Sequence, residues 1–264
     1  MDLKLTDRRA LITGSTAGIG YAIAQGLAAE GARVVITGRT QGAVDAALAR
    51  ISAAVPGAKA EGVAADCASA AGAQHVFDRI GEVDILVNNL GIYERKPFFE
   101  IPDDDWLRLY EVNVLSGVRF ARHYAPAMAK RGWGRVIFVS SESGLNIPKE
   151  MIHYGMTKTA QLTISHGLAM ELAGTGVTVN ALLPGPTRTE NSERMRAERA
   201  RAAGMTVAEL EAEFFVRFRP SSITRQFHAA EEVANLAVYL CSPLSSATTG
   251  AALRVDGGTV NQIM

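Results

Sequence analysis

The sequence predicts an α/β fold, a doubly wound parallel sheet of seven strands with helices on both faces. Three observations predict it. Short, continuously apolar runs recur between helical patterns, as in RALIT at 9–13, RVVIT at 33–37 and RVIFVS at 135–140. Strands of a parallel sheet, covered on both faces, read this way. A glycine-rich turn, TGSTAGIG at 13–20, joins the first strand to the first helix, where such sheets receive phosphate groups. The composition, 48% hydrophobic and 20% charged over 264 residues, is that of an ordinary globular chain and fits one large domain.

The elements follow in order. After the strand at 9–13, a helix spans 18–30 and stops at Gly31. The strand at 33–37 leads to a helix at about 41–54, ended by Pro56-Gly57. A strand at 59–64, a helix at 69–80 and the strand DILV at 84–87 come next. One long helix is expected over 103–130 behind Pro102, then the strand at 135–140 and a helix at 151–173. VTVNALL at 177–183 and a last strand at 252–255 complete the sheet. No repeat, low-complexity segment or linker divides the chain.

Residues 186–229 interrupt the rhythm. ENSERMRAERARAA reads as a charged helix, and Thr206 with Glu209 forms a capping box for a second one. That helix carries Val207, Leu210, Phe214 and Phe218 on one face, with Phe215 beside it. The insertion is either a surface pair packed on the body or a lid over the site.

Charge and composition exclude several functions. Lys plus Arg and Asp plus Glu number 27 each, so nothing points to nucleic acid or an anionic membrane. No apolar run approaches the ~20 residues of a membrane span, and MDLKLTDRRA lacks the apolar core of a secretory signal. Two distant cysteines, Cys67 and Cys241, suit a reducing cytoplasm, and neither they nor the five histidines have metal-site spacing. No metal is expected.

HYGMTK at 153–158 puts Tyr154 one helical turn from Lys158. A phenol is a poor base at neutral pH, and a nearby cation is expected to lower its pKa. The pair then becomes a general acid/base for an alcohol or carbonyl oxygen. In the glycine turn, Gly14, Gly18 and Gly20 would free backbone N–H groups at a helix N-terminus for a dinucleotide diphosphate. The second strand ends in Thr37-Gly38-Arg39-Thr40, with no acid for the adenosine ribose. Arg39 can pair with a 2′-phosphate, so NADP(H) is favoured over NAD(H).

TGSTAGIG, NNLG at 88–91, Asn113, the serine pair at 140–141, YGMTK at 154–158, Pro184-Gly185 and VDGG at 255–258 occur in fixed order. In this set the chain resembles the short-chain dehydrogenase/reductase family, compact branch, over nearly its whole length. The resemblance implies a single Rossmann-type domain and an NADP(H)-dependent oxidoreductase interconverting a ketone and a secondary alcohol. It implies Tyr154 as acid/base, with Lys158 beside it and on the nicotinamide ribose. Ser141, about thirteen residues before the tyrosine, would hold the substrate oxygen. Asn113 would position a water linking Lys158 to solvent. Cofactor contacts are expected from Gly14, Ser15, Thr16, Gly18, Ile19 and Gly20, from Arg39 and Asp66, from Asn88 and Gly91, and from Pro184, Gly185 and Thr187. The resemblance also suggests a homotetramer packed through helices 103–130 and 151–173.

Some positions depart from the family pattern. Leu90 replaces the usual alanine of NNAG, and Ser15, Thr16 and Ala17 offer no basic residue beside the second glycine. NAD(H) stays open on that account. Cys67 is expected to pack rather than react, and His153 to be a surface residue at a helix start or a substrate contact. Phe214, Phe215, Phe218, Leu145, Ile147 and Met151 are candidates for an apolar substrate wall. The partner is a small carbonyl or alcohol. A dinucleotide sensor without turnover is the reading from another class.

Overall fold

The structure, a computed structural model, describes residues 1–263. Among them, β1 (Arg9–Ile12), β2 (Arg33–Gly38), β3 (Lys59–Ala64), β4 (Ile85–Asn88), β5 (Gly134–Val139) and β6 (Val177–Pro184) join β9 (Ala252–Val255) in one parallel sheet. The order is β3-β2-β1-β4-β5-β6-β9. The chain leaves β1 for one half of the sheet and returns to β4 for the other. The crevice at the carboxyl ends of β1 and β4 is therefore the topological switch point, where such sheets bind ligands.

Each face of the sheet has its own core. On one, α1 (Gly18–Ala29), α2 (Gln41–Ala54) and α9 (Ala230–Cys241) bury Ile23, Leu27, Val233 and Val238 against Ile12, Ile36 and Val87. On the other, α3 (Ala70–Arg79), α5 (Ser116–Lys130) and α6 (Ile152–Glu171) cover Leu11, Val35, Leu86 and Val136 with Phe120, Tyr124 and Met128. Alternate residues of one strand thus serve opposite cores, as the pleat requires. The continuous apolar runs of the central strands follow from this.

The helix expected over 103–130 is not continuous. α4 (Asp103–Tyr110) passes into a π-helical turn at Glu111–Leu115, and α5 follows. The π-turn places Asn113, which is fully buried, and ties its amide to the loop after β4. Single π-turns of this kind concentrate at functional sites.

The 186–229 insertion is clipped at its base. β7 (Thr187–Arg188) pairs with β8 (His228–Ala229), and the His228 N–H donates to the Pro186 carbonyl at 2.9 Å. Between them stand α7 (Glu190–Ala203) and α8 (Val207–Arg217). Gly204, at φ +66°, ends α7 in the left-handed conformation that glycine adopts without strain. Thr206 and Glu209 form the expected capping box. Glu211 joins the two helices by accepting from Arg188 at 2.7 Å and pairing with Arg196 at 3.1 Å.

Candidate active site at the sheet's carboxyl edge

The glycine turn is shaped for a diphosphate. Gly14 and Gly18 have φ of +63° and +57°, which lets the chain reverse tightly after β1. A Cβ on Gly20 would lie 2.4 Å from Asn89 Nδ2 and 2.6 Å from the Gly14 carbonyl, so only glycine fits there. The helix N-terminus has no side-chain cap and no acid in its first turn, which leaves its N–H groups for an outside acceptor. Within the chain, Glu190 Oε2 accepts from the Gly18 N–H at 2.9 Å, and Arg50 holds its other oxygen at 3.1 Å. A carboxylate on that N–H shows that the turn accepts an anion. The donor set fits a nicotinamide dinucleotide.

Two residues of the expected cofactor set are turned away from the crevice. Ser15 is fully buried; its hydroxyl donates to Ile12 O at 2.7 Å and accepts from Thr37 N at 3.0 Å, and its own N–H donates to Thr37 O at 2.9 Å. It stitches β1 to β2, satisfying strand-end groups that would otherwise be buried orphans. Asn88, the last residue of β4, is 3% exposed, packs beside Gly117 of α5, and its amide finds no hydrogen-bond partner among the described residues. Its neighbour Asn89 points the other way and donates to the Thr13 and Gly14 carbonyls at 3.0 Å each. The pleat alternates the two side chains.

The remaining cofactor candidates rim the crevice. Arg39 is exposed just past β2. A Cβ on Gly38 would lie 2.4 Å from Thr16 Cγ2, so a side chain there would have to displace that of Thr16. Asp66 is exposed beyond β3 and accepts from the Ala68 N–H at 3.2 Å. Gly91 lies against Lys158, with the ammonium 3.2 Å from where a Cβ would stand. Ile19, Pro184, Gly185 and Thr187 line a cavity of about 560 Å³ that also holds Ser141 and Tyr154. Thr189, absent from the sequence expectations, lines it too; it packs against Gly18 and caps α7.

The serine pair divides its work. Ser140 donates its hydroxyl to the Lys158 carbonyl at 2.8 Å and fixes α6 to β5. Ser141 Oγ accepts from the Ser143 N–H at 3.1 Å, which orients its hydroxyl beside Tyr154. Thr157, between Tyr154 and Lys158, donates to the Tyr154 carbonyl at 2.7 Å and accepts from Asn113 Nδ2 at 2.9 Å.

The electrostatics of the Tyr154–Lys158 pair run opposite to the sequence expectation. Lys158 Nζ lies 5.6 Å from the Tyr154 ring centre and donates instead to Val139 O at 3.0 Å and Gln161 Oε1 at 3.1 Å. Burial pushes Lys158 down to about 7. Burial also pushes Tyr154 up to about 12, while the Ser141 hydroxyl pulls the other way. Desolvation outweighs the mutual attraction the spacing suggested. At neutral pH the tyrosine is a phenol that can give a proton.

Gln161 is the residue that sequence reasoning missed. It is 1% exposed, accepts from Lys158, and donates its Nε2 to the Asn113 carbonyl at 2.7 Å. It thereby bridges the Asn113 carbonyl and the Lys158 ammonium within the chain. Its position one helical turn below Lys158 was the available signal. His153 is a second correction: it is fully buried, with its ring edge-on to Trp106 at 5.8 Å, rather than at the surface. Of the expected apolar wall, Met151, Phe214 and Phe218 line the cavity; Phe215 is buried in the insertion, and Leu145 and Ile147 stand outside it. Cys67 packs as expected, and burial pushes its thiol up to about 11.

A doubly wound sheet with a glycine turn beside a cavity that holds Ser141 and Tyr154, with Lys158 buried behind them, is the architecture of an oxidoreductase that uses a nicotinamide cofactor. The family model described as short chain dehydrogenase matches residues 8–200. The chain is 46% identical over 263 residues to the uncharacterized oxidoreductase YvaG of Bacillus subtilis, covering 100% of both chains. It is 34% identical to the D-beta-hydroxybutyrate dehydrogenase of Cupriavidus necator, covering 98% of this chain and 100% of that one. L-sorbose reductase from Gluconobacter frateurii, solved with NADPH and L-sorbose, superposes with a TM-score of 0.93 at 31% identity over 100% of both chains. The chain belongs to the short chain dehydrogenase family, and it is a carbonyl/alcohol oxidoreductase. Among the described residues, no helix is long and apolar enough to cross a membrane, and no cluster of His, Cys, Asp or Glu could hold a metal.

Proposed function

We propose that the protein is an NADP(H)-dependent oxidoreductase of ketones and secondary alcohols in which Tyr154 handles the proton. The observation that carries this is the convergence of Ser141 and Tyr154 on one cavity, with buried Lys158 behind them and the glycine turn beside them. Gly14, Gly18 and Gly20 would cradle the diphosphate, Arg39 the 2′-phosphate, Asp66 the adenine, and Gly91 with Lys158 the nicotinamide ribose. Ile19, Pro184, Gly185 and Thr187 would wall the nicotinamide. NADPH, when bound, supplies the hydride to the carbonyl carbon. Ser141 holds the carbonyl oxygen with its hydroxyl, and Tyr154 gives its phenolic proton to that oxygen as charge grows there. Asn113 and Gln161 hold Lys158 in register.

Cofactor choice is supported by Gly38, where no acid stands at the end of β2, and by the exposed Arg39. Fluorescence titration of the purified protein should show NADPH binding more tightly than NADH. Arg39→Ala should weaken NADPH by ~10- to 100-fold, the worth of one charge-assisted hydrogen bond, and leave NADH within about twofold. Equal affinities in the unaltered protein would sink the NADP(H) assignment. D-beta-hydroxybutyrate and L-sorbose, on which the relatives named above act, share a secondary alcohol or ketone and little else, so the names leave the substrate open.

The insertion supports a lid. Among the described residues its strand pairing is the two-residue clip at its base, and it reaches the body through Glu190 on Gly18, Arg219 on Glu142, Ser221 on Thr259, and Ile223 and Thr224 on Gly257. A homotetramer is supported by Leu107 of α4 and Met170 of α6, 66% and 64% exposed. Hydrogen exchange combined with sedimentation tests both. NADPH should protect 186–229, and α4 and α6 should be protected in a sedimenting tetramer; unchanged exchange in the insertion, or a monomer, removes the corresponding proposal.

A further inference from the structure

Five arginines and three glutamates line the cavity that holds Ser141 and Tyr154. The glutamates are already taken up within the chain. Glu142 accepts from Arg219 at 2.8 Å, Glu211 pairs with Arg196 at 3.1 Å, and Glu213 accepts from Arg217. Among the described residues no such pair holds Arg95 or Arg199, the two arginines that remain. Arg95 stands on the loop between β4 and α4, and Arg199 on α7 of the insertion. Both are exposed, and so within reach of a ligand that enters the cavity they line. The Arg95 guanidinium lies 4.9 Å from the ring centre of Phe218, which belongs to the same wall. Tyr93 ties the loop to α7 by donating its hydroxyl to Met195 Sδ at 3.5 Å. Arg199 follows Met195 by one helical turn, and both line the cavity. Partial burial and the charge of Arg199 hold Arg95 below the usual arginine range, and Glu150 offsets this only in part. Two like charges on one cavity, with no carboxylate of the chain paired to either, favour an anion from outside.

We infer that Arg95 and Arg199 are specificity-determining residues that bind an anionic group of the substrate, a carboxylate or a phosphate ester, at the far end of an apolar spacer from its carbonyl. This rests on the reading of the cavity as a ketone-reducing site and names the substrate class of that site. A guanidinium presents donors in a planar fork that matches carboxylate and phosphate oxygens alike. A cationic ketone would be repelled, and a neutral one would leave both arginines as they are. The spacer follows from what lies between. The Tyr93 ring stands 6.1 Å from the Tyr154 ring, Tyr93 meets Met195, and Arg199 comes one turn later. The anion therefore stands several carbons from the reacting carbonyl. Met195, Phe214 and Phe218 give the same cavity an apolar wall for the carbons between. Because Arg95 belongs to the body and Arg199 to the insertion, a bound anion also holds the insertion against the body.

The test uses the whole chain with NADPH and two matched pairs, 6-oxoheptanoate against its methyl ester and 5-oxohexyl phosphate against 6-hydroxy-2-hexanone. The unaltered protein should prefer the anion by ~10²-fold or more in kcat/KM in at least one pair, as two hydrogen-bonded charges can supply. The pair that shows it tells carboxylate from phosphate. Added salt should erode kcat/KM for the anion and spare the neutral member. Arg95→Gln and Arg199→Gln change exposed side chains with no ion pair to lose, so both should fold. Each should lower the anion-to-neutral ratio by ~10-fold, and Arg199→Lys, which keeps the charge, should retain more of it than Arg199→Gln. A merely structural role would lower both members of a pair together and leave the ratio alone. Equal rates within both pairs in the unaltered protein, or an unchanged ratio in either Gln variant, overturn the inference while leaving the reductase reading intact. A stronger anion preference in the shorter 4-oxopentanoate and its methyl ester overturns the spacer. NADPH binding with no turnover of any ketone overturns the reductase reading and this inference with it.

Discussion

Tyr154→Phe should lower kcat by ~10²- to 10⁴-fold, the usual worth of a positioned general acid, and leave NADPH affinity within about twofold. The substitution removes one oxygen and nothing that holds the helix. The α6 contacts at this level are made by the Tyr154 carbonyl with Thr157 and by Ser140 with the Lys158 carbonyl, and both survive. The ring keeps its edge-on contact with Tyr93 at 6.1 Å. The lost hydroxyl stands beside Ser141 and has a proton to give at neutral pH: its pKa, raised to about 12 by burial, keeps it protonated there. Ser141 still polarises the carbonyl in the variant, so residual turnover is expected to follow the solvent as proton source and to fall as pH rises. Single-turnover reduction with NADPH in excess measures the chemical step directly. A rate within about tenfold of the unaltered protein would show that the proton comes from elsewhere, and Ser141 would be the next group to remove.

The sheet was legible because its strands are buried on both faces and are therefore apolar at nearly every position, from RVVIT to VTVNALL. The turn TGSTAGIG was legible because three glycines between a strand and a helix have few other uses. The directions of the expected cofactor side chains were not legible where they depend on a neighbouring element. Ser15 looks like a free donor until Thr37 is beside it, and Asn88 and Asn89 differ only in which side of the pleat they occupy. The π-turn at Glu111–Leu115 left no mark on the sequence, since EVNVL continues the helical pattern of its flanks; it is imposed by the tie between Asn113 and Ile92. The spacing of Tyr154 and Lys158 was readable, whereas the sign of their pKa displacements was not. Spacing fixes a distance along one helix, but desolvation depends on what β5 and the loop after β4 lay over it. Gln161 was missed for the same reason, since nothing in its local sequence separates a buried amide from an exposed one.

Lys158→Met should cost ~10²-fold or more in kcat/KM, as loss of one preorganised electrostatic group does, while removing a pH dependence of stability that the unaltered protein carries. Lys158 is 3% exposed and titrates near 7 in the folded chain; unfolded, it titrates near ~10.4. Below pH 7 it is charged in both states, and the folded state bears the whole desolvation penalty. Between about 7 and 10.4 the unfolded chain holds a proton that the folded chain has released, so stability rises with pH through that window, by up to ~1.4 kcal/mol for each pH step of one. Methionine has no proton to release, and the rise should vanish. All other titrating groups are common to both proteins, so the difference between their urea midpoints at pH 6, 8 and 9.5 isolates Lys158. The uncharged variant also leaves Val139 O and Gln161 Oε1 without a donor, which lowers its stability by a similar amount at every pH and so does not change the slope. Gln161→Glu offers the converse: a carboxylate beside Nζ favours the ammonium and should move the Lys158 titration upward by about one pH unit or more, carrying the stability window and the acid-dependent limb of kcat/KM with it. Parallel stability curves for Lys158→Met and the unaltered protein would mean that Lys158 stays charged in the folded chain. The proton held at Tyr154 would then be governed by that charge, as the spacing alone first suggested, and not by burial.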